Sequence, residues 1–316
     1  MCALTIALTG VARTWLEARA LLDRPVARSS HRVPVPRGGG LAVVPALMLG
    51  WLAVAWHGAP VGTVWVLAAA AALAALSFID DLRGLPVRLR LVAHGAAVLF
   101  GLAALPPTVF QGVLPPMLDR AAAFLAWLWF VELFNFMDGI DGIAGVETAM
   151  LGLGLALVLA AAGAAGDGTA ALALAAGAAG LGFLVWNWHP ARIFLGDVGS
   201  VPLGFLIGWL LLLAAAKGYW APALILPLYY VADASITLAR RVARRAAFWE
   251  AHREHFYQRA LARDGNHAAV ARMVLSGDAV LVLLALAALA QPLAALAAAV
   301  VAVAAMLALL QRRSHG

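Results

Sequence analysis

Long apolar runs, rich in Ala and Leu and lacking the alternation of a β-strand, recur from one end of the chain to the other. A segment crossing a bilayer needs about 20 mostly apolar residues, and lipid offers no partner to backbone polar groups, so only helices or closed barrels can span it. Here the pattern selects helices. Eleven spans are expected, over residues 1–20, 40–57, 62–79, 89–105, 121–136, 143–163, 169–187, 200–216, 220–239, 272–290 and 293–310. Only 12% of residues are charged, against roughly 25% in soluble domains. The expected fold is therefore all-α: a polytopic integral membrane protein of about 10–11 transmembrane helices, forming one domain over residues 1–316. Ala- and Gly-rich tracts such as "LALAAGAAGLG" predict close helix packing through small residues.

Basic residues set the orientation. With the N-terminus outside, all of the 22 Lys and Arg except Arg120 and Lys217 fall on the inner side, a strong positive-inside bias. The net charge of +6 is then first a topology signal, and no nucleic-acid partner is expected. It also gives an inner face suited to anionic headgroups or phosphorylated substrates. The single cysteine, Cys2, excludes an intrachain disulfide. Residues 1–12 would reach only about 18 Å as a helix, so the first span is expected to be clipped, with the natural start upstream. A cleaved signal peptide is not expected, because no basic segment precedes the apolar run.

The inner loops, 21–40, 78–90, 135–145, 187–200 and 240–272, collect the polar chemistry: Asp80, Asp81, Asp138, Asp141, Asp197, His252 and His255. The outer loops hold only Asp119 and Asp167. An active site at one membrane face needs such asymmetry, whereas an ion-conducting transporter or lipid flippase would spread acids through the bilayer and to both faces. Adjacent Asp80 and Asp81 repel one another unless a cation compensates, or else sit in a solvated loop. If Ile140 to Gly145 opens a helix, the spacing of Asp138 and Asp141 puts both on one face; a capping role is the alternative. Asp197, between glycines in "FLGDVGS", precedes a helix N-terminus, where it is either a cap or a ligand for Mg²⁺ shared with substrate phosphates. The run His252, Arg253, Glu254, His255 would set both imidazoles on one face if helical, and its basic neighbourhood favours phosphate over zinc.

Glu132, Glu147, Asp233 and Asp278 fall within spans, where a charge costs at least about 2.5–3.5 kcal/mol at the bilayer centre. They extend the polar site or reach the interface. Asp278, nearest a loop, is expected at the interface, as is His94, while His57, His267 and His315 carry no functional signal.

In order, "LLDRPVARSSHRVPVPRGGG", "DDL", "NFMDGIDGIAG", "FLGDVGS", "ADASITLARR" and "WEAHREHFYQRA" resemble the motifs of the polyprenyl-phosphate sugar-1-phosphate transferases, over residues 21–260. The last motif is most similar to the bacterial O-antigen branch. The resemblance implies transfer of a sugar-1-phosphate from a UDP-sugar to undecaprenyl phosphate in the bacterial cytoplasmic membrane, with the site on the cytoplasmic face and a homodimer admissible. It implies Mg²⁺, with Mn²⁺ as a substitute, held by Asp197. Asp80 and Asp81 match an acidic pair that positions or deprotonates the acceptor phosphate. Asn135, Asp138 and Asp141 match a nucleotide- and metal-proximal motif, and Arg37, His252, Arg253 and His255 the binding of diphosphate and UMP. Glu132 departs from the family, where many members carry Asn. A CDP-alcohol phosphotransferase would need an Ala-Arg pair after its first Asp-Gly, which "DGIDGIAG" lacks.

Overall fold

A computed structural model describes residues 1–25, 33–246, 252–261 and 265–315; Arg32 and the whole of "VARSSH", with Arg28, lie outside the described residues. Thirteen helices are present among them: α1 (Cys2–Ala18), α2 (Gly40–Trp56), α3 (Thr63–Arg83), α4 (Val87–Gly101), α5 (Pro116–Phe136), α6 (Ile143–Ala161), α7 (Thr169–Asn187), α8 (Asp197–Ala216), α9 (Trp220–Ile225), α10 (Leu228–Ala243), α11 (Phe256–Leu261), α12 (His267–Ala287) and α13 (Pro292–His315). The only strands among the described residues are β1 (Leu22–Asp23) and β2 (Val35–Pro36), paired antiparallel. Seven helical segments are long and apolar enough to cross a membrane: α3, α4 with its following 3-10 turn, α6, α7, α8, α12 and most of α13. The protein is all-α and polytopic, as the apolar runs predicted.

α8 is the axis of the bundle. Every residue from Val198 to Ala215 is buried, so the helix is sheathed by its neighbours on all sides, as expected of a helix apolar all round. Asp197 opens it, which puts that carboxylate at the centre of one end of the bundle. The small-residue packing is borne out between α6 and α7: a Cβ placed on Gly152 would lie 2.2 Å from the Gly177 amide nitrogen. Only glycine permits that approach.

Two expected spans are redrawn. The run 220–239 is broken, with α9 ending at Ile225 and α10 starting at Leu228. Pro227 lies between them and has no N–H for a continuous ladder. The run expected at 272 begins at His267 instead, where the Asn266 side chain accepts a hydrogen bond from the Ala269 N–H at 2.9 Å and caps α12.

Candidate active site

The glycine-rich segment after β2 lies along the segment that leads into α8. Phe194 N–H donates to the Pro36 carbonyl (2.8 Å), Gly38 and Gly39 donate to the Phe194 carbonyl (3.1 and 2.8 Å), and Gly40 donates to Leu195 (2.9 Å). This zipper delivers Arg37 to the start of α8. Its Nη2 donates to Asp197 Oδ1 at 2.7 Å and to Asp81 Oδ1 at 2.9 Å. The Asp81 carboxylate in turn accepts the backbone N–H groups of Asp197 (3.2 Å) and Val198 (3.0 Å). The end of α3 thereby satisfies donors that the first turn of α8 leaves open. Gly196 sits at φ +74°, and a Cβ there would meet Asp81 Oδ2 at 2.9 Å. A side chain at that position would force the two elements apart.

Asp80 turns the other way. It accepts the Leu85 N–H at 2.5 Å and the Arg90 guanidinium at 3.0 Å, while Arg90 also lies 3.6 Å from Asp197. The repulsion expected between Asp80 and Asp81 is thus relieved by two arginines approaching from opposite sides. Arg90, counted in the sequence only as a topology marker, is part of the site.

Asp138 stands in the loop between α5 and α6. Burial pushes its carboxyl well above the usual carboxylate range; Arg37 opposes the shift, while the Asp197 and Asp81 charges reinforce it. Burial works against the charge on Arg37, but Asp81, Asp197, Asp23 and Asp138 outweigh it and hold the guanidinium protonated. Asn135 donates from Nδ2 to Ser200 Oγ at 2.8 Å, joining α5 to the second turn of α8. Asp80, Asp81, Asp138 and Asp197 therefore crowd around two arginines, with more negative than positive charge. An all-oxygen set with excess negative charge is the chemistry that a hard divalent cation takes.

Asp141 does not share a helix face with Asp138, because α6 opens only at Ile143. Its partners are different: His189 Nδ1 at 2.6 Å from Oδ2, His267 Nδ1 at 3.1 Å from Oδ1, and the Ala191 N–H at 3.1 Å from Oδ2. Burial alone would raise this carboxyl, but the bonds to His267, His189 and Ala191 outweigh it and hold it below the usual range. His267, which carries no functional signal in the sequence, is buried here.

The histidine run is not helical at residues 252–255; α11 starts at Phe256. The two imidazoles nevertheless stack, with centroids 4.9 Å apart. Asp233 organises the turn. It accepts the N–H groups of Phe256 (3.0 Å) and Tyr257 (3.2 Å), and lies 3.2 Å from His255 Nδ1. Tyr257 O–H then donates to the Phe136 carbonyl at 3.0 Å, fixing α11 against the end of α5. Burial, with help from His255 and Arg241, pushes the His252 imidazole down to about 4, so that ring is neutral at physiological pH. Arg253 is exposed.

Two acids expected to extend the site or reach the interface are buried side by side. Glu147 and Asp278 are within hydrogen-bonding reach of each other, and among the described residues no donor from any other residue reaches their four oxygens. Asp278 is not interfacial: α12 begins earlier than expected and carries it into the bundle. Asp278→Asn gives Glu147 an amide donor and should leave thermal stability in detergent unchanged or higher. Asp278→Ala should lower it by about 1–3 kcal/mol, the cost of a buried polar group without a partner; equal melting of the two variants would contradict the pairing.

His94 is likewise buried, with Nδ1 2.6 Å from Glu132 Oε1. Both line a cavity of about 470 Å³ whose polar end carries Asp80, Arg90 and Asp197 and whose walls include Leu76, Leu91, Leu125 and Leu128. Charged groups at the mouth of an apolar cavity suit an amphiphile with an anionic head.

The fold and site define a polytopic helical membrane protein with a carboxylate- and arginine-lined centre at one end of its bundle. Residues 63–215 match the model of glycosyl transferase family 4. The chain is 32% identical over 280 residues to the phospho-N-acetylmuramoyl-pentapeptide-transferase of Mycobacterium leprae, covering 72% of this chain and 78% of that one. It is 28% identical over 259 residues to a probable undecaprenyl-phosphate N-acetylglucosaminyl 1-phosphate transferase of Bacillus subtilis, covering 78% and 71%. It is 30% identical over 231 residues to the decaprenyl-phosphate N-acetylglucosaminephosphotransferase of Mycobacterium leprae, covering 63% of this chain and only 55% of that one. The chain belongs to glycosyl transferase family 4.

Proposed function

We propose that this protein transfers a sugar-1-phosphate from a UDP-linked N-acetylhexosamine or deoxy-amino sugar to undecaprenyl phosphate. UMP is released and undecaprenyl-diphospho-sugar is formed, starting a cell-envelope polysaccharide of the O-antigen type. The reaction takes place at the cytoplasmic face of the bacterial inner membrane, the side to which the positive-inside bias assigns the site. Polyprenyl-phosphate acceptors and sugar-phosphate groups in the names of the relatives support the reaction class. The observation that carries it is the apolar cavity lined at its polar end by Asp80, Arg90 and Asp197, with Arg37 and Asp81 joined to it through Asp197. A phosphate head can meet Arg90 there, beside the Arg37–Asp197 pair, while its chain follows the leucines.

An oxygen of the acceptor phosphate attacks the sugar-bearing phosphorus of the donor, and the bond to the bridging oxygen breaks, leaving its electron pair on UMP. Arg37 and Arg90 bind and orient the phosphates, since guanidinium forks match phosphate oxygens. Asp80, at the cavity mouth, keeps the attacking oxygen free of its proton. Asp81 is occupied by the first amides of α8 and positions Asp197 and Arg37. Asp197, with Asp138 and Asp81 within electrostatic reach, would hold Mg²⁺ or Mn²⁺, which supplies charge neutralisation to the diphosphate. Asn135 and the Asp233-braced turn with His252, Arg253 and His255 contact the nucleotide portion. Glu132, paired with His94 in the cavity wall, acts on the acceptor.

The test is a donor panel. Membranes containing the protein, undecaprenyl phosphate and Mg²⁺ should release UMP from at least one UDP-N-acetylhexosamine or UDP-deoxy-amino sugar, in an acceptor-dependent manner. No release across the panel would refute the proposal.

A further inference from the structure

His94 on α4 and Glu132 on α5 are paired, Nδ1 to Oε1 at 2.6 Å, and both line the apolar cavity. Arg90 and His94 are four residues apart on α4, and Glu132 and Asn135 three apart on α5, so each couple shares a helix face about one turn apart. The His94–Glu132 pair thus stands one turn further along the cavity than Arg90 and Asn135. A buried ion pair gains little stability over apolar side chains of the same volume. Its place in this wall points to a ligand instead.

The two ring nitrogens of His94 differ. Contact with a carboxylate at 2.6 Å puts a proton on Nδ1 and leaves Nε2 with its lone pair. Nε2 has no partner among the described residues and is not sealed off from solvent, so it opens on the cavity that the ring lines. The other charged groups of the cavity are engaged. Asp80 accepts the Leu85 N–H and the Arg90 guanidinium, and Asp197 faces Arg37 and Arg90. A phosphate monoester in water keeps its second proton to about pH 6. Here Asp80 from α3, Glu132 from α5 and Asp197 from α8 favour retention of that proton, and Arg90, on the same helix as His94, opposes them.

Resting on the transferase reading, we propose that His94 is the base that takes the last proton of the acceptor phosphate, with Glu132 as its positioning residue. The proton moves from the phosphate oxygen to Nε2. Its bonding pair stays on that oxygen, which then attacks the donor phosphorus. His94 becomes an imidazolium, held through Nδ1–H by the Glu132 carboxylate. Asp80 acts with it: both of its oxygens already accept, so the proton it draws from the phosphate comes to rest on His94. Transfer of the proton to the departing UMP or to water restores the neutral ring.

Acceptor-dependent UMP release by the full chain in detergent, followed from about pH 6 to about pH 9, tests the assignment. His94→Gln keeps an N–H for Glu132 and should melt like wild type. Its turnover should fall about 10²-fold or more near pH 6 and recover to within about tenfold of wild type near pH 9, where the phosphate is ionised unaided. Glu132→Gln should show the same pH trend with a smaller loss. A loss in His94→Gln that is equal at every pH, or no loss at any pH, would overturn the proposal. If His94→Gln fails to fold, the ³¹P resonance of undecaprenyl phosphate bound to wild type without Mg²⁺ decides. The shift of the dianion is expected near pH 6, and a titration matching that of the free lipid would overturn the assignment. That second measurement needs no turnover, so its failure is separable from a failure of the transferase reading, in which no donor yields UMP.

Discussion

Replacing Asp197 with Asn is expected to lower UMP release by about 10³-fold or more, the scale at which a principal charge contact is lost in phosphoryl transfer. The carboxylate opens the most buried helix of the bundle and lies 2.7 Å from Arg37 and 3.6 Å from Arg90. It is therefore the group through which both arginines and any bound divalent cation are registered. Asn has the same shape but one fewer charge, so α8 and its cap by Asp81 should survive and melting should be little changed. Raising Mg²⁺ should not restore turnover. Near-normal activity would remove Asp197 from the metal site and leave it as a helix-terminal residue.

Arg37→Lys is expected to reduce turnover by about 10²–10³-fold with only a small change in melting temperature. One guanidinium nitrogen reaches both Asp81 and Asp197, at 2.9 and 2.7 Å, while the rest of the planar fork remains for phosphate. Lysine keeps the charge that balances the carboxylates but offers a single ammonium, which cannot hold both acids and a phosphate in the same geometry. Steady-state kinetics on the donor would check this. A lysine variant with wild-type kcat and KM would show that Arg37 acts only as a counter-charge.

Asp80, Asp81, Asp138 and Asp197 were visible in the sequence because the span pattern places them on one side of the membrane, and the structure brings them to the same arginines. Positions within ten residues of one another, such as Asp80 and Arg90, could have been paired from helix-end spacing. The Asp141 cluster could not. His189 and His267 lie 48 and 126 residues away in the chain, and only the packing of α6 against α7 and α12 joins them. The sequence shows Asp233 only as an acid within a span, because a carboxylate in an apolar run gives no hint that it accepts the amides of a later turn. The break at Pro227 is invisible to mean hydropathy across 220–239, which is blind to a missing N–H. A span starting at 272 sets Asp278 near the interface, whereas α12 starts at His267 and so carries Asp278 further from the loop and into the bundle.

In the proposed reaction a sugar moves together with its phosphate onto a lipid phosphate. The most direct test uses a UDP-sugar carrying ³²P in the phosphate attached to the sugar, with undecaprenyl phosphate and the purified protein. The label should pass into the lipid fraction while unlabelled UMP is released in equal amount. Label that stays in the aqueous phase as UDP, or a lipid product that gains sugar without label, would contradict it.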